Sequence, residues 1–258
     1  MSVHPTAIID AAARVSASCR IGPFCTLGAG VELGEECELT SHVVIEGPTK
    51  IGARNRFSPF SVIGGAPQDY TYQGEPTRLE IGDGNHFREY ITISRGTTKG
   101  GGVTRIGSHG LFMAYVHIGH DCQVGNNILM ANGATLAGHV EVADYAAVGA
   151  LSAVHQFAHV GPHAYIGGGS IVTQDVLPFS KTSATRDIHA YGANAVGLQR
   201  KGFSAERVKK IQRAFRLLLA SKLNTSQAVE KIRSEGELGE DVELLIAFIE
   251  RAERGIIK

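Results

Sequence analysis

An apolar residue recurs at every sixth position along most of this chain, and no other feature restricts its fold so tightly. The column runs from Ile9 through Val15, Ile21, Leu27, Leu33, Leu39, Ile45, Ile51 and Phe57 to Ile63. It resumes at Ile81, Phe87 and Ile93, then continues at the same interval from Ile106 through Ile118, Leu136 and Val154 to Val172. A second restricted set sits two residues before it, as at Ala7, Val31, Val116 and Ile128, and all four cysteines, Cys19, Cys25, Cys37 and Cys122, fall in this register. Glycine often follows the column residue, as at Gly22 and Gly119, where a tight corner suits a residue without Cβ. A period of six matches neither a helix nor simple alternation. It matches a short strand and a turn, repeated around a solenoid with one hexad on each side of a coil.

Two stretches break the column, at about 65–80 and 96–105. The first is polar and rich in Pro and Gly, and the second contains Gly100-Gly101-Gly102, which lacks the following Lys-Ser/Thr of a phosphate loop. Loops that leave a rigid solenoid commonly carry function. Beyond Val176 the hexads stop. Val208, Ile211, Phe215, Leu218 and Leu219 then recur at helical spacing behind Ser204 as N-cap, a further helix starts at Asn224-Thr225, and a third carries Leu244, Leu245, Phe248 and Ile249. The expectation is an all-β solenoid over 1–184, followed by a small α-helical C-terminal domain over 185–258 that covers the last coil.

The 32 glycines and the absence of Trp suit a repetitive, turn-rich architecture. Lys plus Arg equals Asp plus Glu at 25 each, which gives no global charge for binding nucleic acid. Neither a secretory signal nor a membrane span is visible, so a cytoplasmic protein with reduced, buried thiols is expected.

Chemistry concentrates in His117-Ile118-Gly119-His120-Asp121. If three hexads form a coil, residues 18 apart in sequence stack at strand spacing, about 4.8 Å. His120, Gly138 and Gln156 then share a column, with Asp121 and His139 one position beyond it and His155 one before. Two functional readings follow from the residues. His120 acts as a general base whose tautomer Asp121 steers, or the imidazoles hold zinc with an open position, as in a lyase of the gamma carbonic anhydrase kind. A scaffold without chemistry explains the hexads but not the polar residues that meet on one corner.

The hexads resemble the hexapeptide-repeat family of left-handed parallel β-helices, and the handedness is implied by that resemblance alone. A closer resemblance rests on Gly22-Pro23-Phe24, Gly74-Glu75-Pro76-Thr77-Arg78, Arg95-Gly96-Thr97, His117 to Asp121, Leu136-Ala137-Gly138-His139-Val140, Val154-His155-Gln156-Phe157 and Arg200-Lys201-Gly202-Phe203. These are similar to the UDP-N-acetylglucosamine O-acyltransferases of lipid A biosynthesis, over the whole chain. The resemblance implies a cytoplasmic homotrimer that moves a 3-hydroxyacyl chain from acyl carrier protein to the 3-position of the UDP-sugar, without metal or other cofactor. It makes His120 the base, Asp121 its partner and Gly138 the oxyanion donor. Asp69, His117, His139, His155, Gln156, Asn194 and Arg200 are implied substrate contacts, and Gly168 limits acyl length, with a glycine leaving room for a longer chain. The basic run Arg200, Lys201, Arg207, Lys209, Lys210, Arg213 and Arg216 is either a dock for acidic carrier protein or a solvated helix face.

Four departures surround the sugar nucleotide: Ser94 replaces a usual His, Thr71 a frequent Lys, Val196 a Glu, and Thr185-Arg186-Asp187-Ile188 a Gly-Asn-His/Pro-Ala stretch. They leave a 3-amino acceptor, giving an amide, as an alternative to the 3-hydroxyl. Hexads that begin at Ile9 leave no room for the N-terminal uridine-binding domain usual in the related N-acyltransferase.

Overall fold

The computed structural model describes residues 2–183, 189–253 and 255–258. Most column residues close a strand of two to four residues, as in Arg20–Ile21, Thr26–Leu27 and Val31–Leu33, and turn their side chains into the core while the preceding neighbour faces out. The strands stack in parallel with Arg20 opposite Glu38, Thr26 opposite Val44 and Val31 opposite Thr49, which is one coil per 18 residues. Three sheets result, with eleven, nine and eight strands among the described residues, and they form the faces of a left-handed parallel β-helix. We call them the first, second and third face, in the order in which the chain visits them. All ten column residues of the stretch 106–160 line the interior, where Phe57, Phe87 and Phe112 stack at centroid distances of 4.9 and 4.8 Å.

Corners are turned by residues in the left-handed region, many of them not glycine. Phe24, His42, Phe60, Tyr90 and Tyr115, with φ between 51° and 65°, occupy one corner on successive coils. That conformation costs about 1–2 kcal/mol per residue. Their neighbouring rings lie 4.9 to 5.1 Å apart, and an aromatic pair returns about 0.5–1.5 kcal/mol, so the corner strain is partly offset. The cysteines are free and buried, and Cys19, Cys37 and Cys122 donate to corner carbonyls at 3.0 to 3.1 Å. Burial pushes the Cys122 thiol up to about 12, which makes it unreactive.

The C-terminal part contains α1 (Ala195–Arg200), α2 (Ala205–Leu219), α3 (Thr225–Arg233) and α4 (Glu240–Arg251). Ser204 caps α2 as the sequence indicates, and Asn224 caps α3 in a reciprocal capping box with Gln227. Helix α1 has no counterpart in the sequence reading, because its six residues, Gly197 among them, are too short to show a period. The boundary expected at 184/185 falls in a stretch outside the described residues. On either side of it Ser180–Thr182 and Ala190–Ala193 pair antiparallel and extend the first face, so strand pairing continues almost to α1. The helices bury a second apolar cluster with Leu177 and Phe179 of the last coil. The chain end returns to the prism, where Ile256 bridges Asp175 and Ile257 joins the solenoid core. None of the described helices is long and apolar enough to cross a membrane.

Candidate functional site

Both interruptions of the repeat leave the prism at the corner that carries His120. The first spans the gap between Val62–Gly65 on the second face and Arg78–Ile81 on the third, and the second spans the gap between Thr92–Ser94 and Val103–Ile106 on the same two faces. His117–Ile118 and Gln123–Val124 flank the same corner one coil later. Registers of Arg56 with His86 and Thr92 with His117 confirm that each excursion is inserted into a coil without disturbing its faces.

The centre of the corner is a hydrogen-bonded pair. His120 Nδ1 lies 2.8 Å from Asp121 Oδ2, and the carboxylate is almost fully buried, at 1% side-chain exposure against 17% for the imidazole. Thr97 N–H donates to Asp121 Oδ1 at 2.7 Å, the Thr97 hydroxyl donates to Oδ2 at 2.6 Å, and the Asp121 N–H donates to Thr104 Oγ1 at 2.8 Å. Burial opposes the charged form of Asp121, but the hydrogen bonds from His120 and Thr97 prevail and hold its carboxyl below the ordinary range. An ionised Asp121 accepts a proton-bearing Nδ1, which leaves Nε2 as the basic nitrogen.

The 18-residue stack holds. His139 N–H donates to the His120 carbonyl and Phe157 N–H to the Gly138 carbonyl, so positions 120, 138 and 156 follow one another on successive coils. Asp121, His139 and Phe157 form the adjoining column, with φ of 63°, 61° and 65°; His139 stacks on Phe157 at 4.5 Å and meets His120 edge-on at 5.2 Å. The Cε1–Nε2 edge of His120 lies against Gly138, whose N–H is given to no backbone carbonyl among the described residues. His155 Nδ1 contacts the Gln156 carbonyl at 3.0 Å on the next coil. His117 Nδ1 is 2.7 Å from Thr92 Oγ1. Burial pushes His117 and His139 toward the neutral form, and the neighbouring His120 adds to this for both.

Asp69 reaches the same corner from the first excursion. Thr71 donates to it through its N–H at 2.8 Å and its hydroxyl at 2.9 Å, and Thr71 Oγ1 in turn accepts from Lys99 Nζ at 2.8 Å. The amide and hydroxyl of Thr71 hold the Asp69 carboxyl below its ordinary range, with smaller contributions from Lys99 and His120. An ammonium from the second excursion thus stands beside Thr71.

Three of the residues singled out in the sequence do not join this corner within one chain. Gly168 lies beside Gly169 at the corner of Tyr115, while Asn194 caps α1 and donates to the His163 carbonyl at the remaining corner, near the end of the prism. Arg200 ends α1 at the same place. Thr185 to Ile188 lie outside the described residues. Of the basic run, Arg207 pairs with Asp241 and Arg213 with Glu235, so the continuous charge read from the sequence is reduced to Arg200, Lys201, Lys209, Lys210 and Arg216. A cavity of about 660 Å³ lies along the third face beneath Phe248 and Arg251, away from His120. Its Glu80 and Arg105 are paired with one another.

Among the described residues of one chain, three imidazoles do not gather as potential metal ligands. The potential ligand atoms that gather within 4.8 Å belong to His120, Asp121 and His139, and both Asp121 oxygens are already engaged by Thr97 and His120. Thr92, Thr97, Thr104 and Lys99 are the site residues that sequence reading missed. For Thr97 the signal was present in Arg95-Gly96-Thr97, but hydroxyl residues one coil away from their partner carry no periodic mark.

Residues 175–257 match a family model described as UDP N-acetylglucosamine O-acyltransferase, domain 2. The chain is 45% identical over 258 residues to an acyl-[acyl-carrier-protein]--UDP-N-acetylglucosamine O-acyltransferase of Syntrophobacter fumaroxidans, covering all of both chains. It is 45% identical to the enzyme of the same name from Halorhodospira halophila, covering 99% of each. Among solved structures, the UDP-N-acetylglucosamine O-acyltransferase of Moraxella catarrhalis superimposes with a TM-score of 0.95 at 40% identity, covering 100% of both chains. Neither the lyase nor the amide-forming alternative is favoured by these relatives. With full-length identity, a shared fold and a shared C-terminal domain, this chain belongs to the UDP-N-acetylglucosamine O-acyltransferase family.

Proposed function

We propose that the protein transfers a 3-hydroxyacyl chain from acyl carrier protein to the 3-hydroxyl of UDP-N-acetylglucosamine, the first step of lipid A biosynthesis. The observation that carries this reading is the His120 ring, tied at Nδ1 to a buried Asp121 and laid with its Nε2 edge against Gly138. His120 Nε2 takes the hydroxyl proton as the sugar oxygen attacks the thioester carbonyl. Negative charge grows on the carbonyl oxygen, and the uncommitted Gly138 N–H is a donor for it. Collapse re-forms the carbonyl, breaks the carbon–sulfur bond and releases the pantetheine thiol, which recovers the proton from His120. Asp121 remains ionised throughout and steadies the imidazolium. The thioester is already activated, so the reaction calls for no metal, cofactor or protein nucleophile.

Asp69, His117, His139, His155 and Gln156 line the acceptor and pantetheine groove in this reading. Gly168, Asn194 and Arg200 complete it from a second copy, because they occupy other corners of their own prism; a homotrimer supplies each site in that way. Lys209 and Arg216, exposed on α2 and free of the pairs that occupy Arg207 and Arg213, offer acidic carrier protein a charged contact. Four reduced cysteines and this substrate pair suit a cytoplasmic location. In the deciding experiment, a panel of acyl carrier proteins is offered with UDP-N-acetylglucosamine and its 3-amino analogue, and products are identified by mass spectrometry. Ester formation that falls by orders of magnitude in His120→Ala supports the reading, whereas near-normal turnover in that variant overturns the base assignment.

A further inference from the structure

Alternate residues of the second excursion reach in different directions. Arg95 donates from Nη1 to the Gly64 carbonyl at 2.6 Å and from Nη2 to the Tyr72 hydroxyl at 3.4 Å, so it anchors the first excursion. Thr97 turns the other way and spends both its N–H and its hydroxyl on the Asp121 carboxylate. Lys99 turns back to the first excursion and holds Thr71, which holds Asp69. The glycines explain how so short a segment does this. A side chain at Gly100 would collide with the Asp121 carboxylate, and Gly101 and Gly102 take φ of 85° and 79° to bring the chain back to Val103. The triple glycine that does not bind phosphate therefore lets a single turn, Thr98–Gly100, close directly over the buried carboxylate.

We propose that this excursion is a brace between the acceptor loop and the general base, with Thr97 the positioning residue for Asp121 and Lys99 the positioning residue for Asp69. The proposal rests on the acyl transfer reading for the roles of those two carboxylates. Thr97 acts on the chemical step. Without its hydroxyl, Asp121 Oδ2 loses one of its two donors, and the His120 ring is held in its Nδ1–H form by a less constrained partner. Lys99 acts on acceptor binding. Without its ammonium, Thr71 and Asp69 lose their tie to the second excursion, and the loop must be ordered by the substrate itself. The other charged groups that face Asp121 are His120 and His139, and Asp69 faces His120, His139 and Lys99.

The test is a split in kinetic parameters on the full-length protein. Thr97→Val is expected to lower kcat about 10- to 100-fold with both KM values within about twofold, and Thr97→Ser to restore most of it. Lys99→Met is expected to raise the KM for the UDP-sugar about tenfold with little change in kcat. Hydrogen exchange of the peptide spanning 66–77, measured without substrate, should accelerate in Lys99→Met and not in Thr97→Val. Loss of the downfield His120 Nδ1–H proton resonance should mark Thr97→Val and not Lys99→Met. The last two readouts need no turnover, so an enzyme that fails to acylate UDP-sugars removes the acyl transfer reading and still leaves the brace to be decided. Equal effects of both variants on one parameter, no kcat loss in Thr97→Val, or unchanged exchange in Lys99→Met overturns it.

Discussion

A methyl group on Gly138 would stand 2.6 Å from Cε1 and 2.8 Å from Nε2 of His120. The glycine is thus required by the imidazole on the coil before it, quite apart from any role for its N–H. Its backbone takes no left-handed conformation, so a substitution acts through this contact and not through local strain. Gly138→Ala should displace the ring, cut kcat by about 100-fold, and leave the melting temperature within about 3 °C of the parent. Steady-state kinetics beside a thermal melt check both halves, and an active variant would mean that the ring adjusts without cost.

Gly168, Asn194 and Arg200 stand at corners that His120 does not share. If a second copy completes each site, His120→Ala and Arg200→Ala are both poorly active alone, and oligomers formed by unfolding and refolding the two together should regain about a quarter of parental turnover or more, by the statistics of mixing. Activity no greater than the sum of the separate variants shows that each chain uses its own Arg200.

Inside the prism, Phe87 is sandwiched between Phe57 and Phe112 and is 1% exposed. Phe87→Ala opens a cavity where rigid coils above and below cannot collapse inward, and should cost about 3–5 kcal/mol in chemical denaturation. His120 sits on the outer side of the corner between the other two faces, so residual activity of the folded fraction should be retained.

His117 and His139 are driven toward the neutral form chiefly by burial, so their folded values lie below the roughly 6.5 of a free imidazole. As pH falls below about 6.5 the unfolded chain takes up protons that the fold refuses, and stability declines. Asp121 has the opposite charge and a depressed value: its contribution is fully present above about 3.9 and is lost as pH falls through its folded value. Melting temperature measured from pH 8 to pH 4 should therefore begin to fall below about pH 6.5 through the histidines. The double variant His117→Gln/His139→Gln should flatten that decline, and a slope equal to the parent's would refute burial as its cause.

Much of the solenoid was legible because its determinants are local and repeated. A hexad places an apolar side chain inward and a small residue two positions earlier, and the sum of three hexads sets which residues stack; Gly138 beside His120, and His139 beside Asp121, follow from counting by 18. Helices α2, α3 and α4 were legible from spacing and caps for the same reason, whereas α1 was too short to declare itself.

The sequence by itself determined the coil, its register and the residues that share a corner with His120, because each depends on contacts between neighbouring coils at a constant interval. Only the tertiary structure decided which side chains hold Asp121 ionised and bring Asp69 to the base. Thr97, Lys99 and Thr71 lie in the excursions where the interval is lost, and their hydrogen bonds, spanning 24 and 28 residues, have no period to reveal them. It also decided that Asn194 and Arg200 stand at another corner near the end of the prism, because they follow the last hexad and have no register to count by.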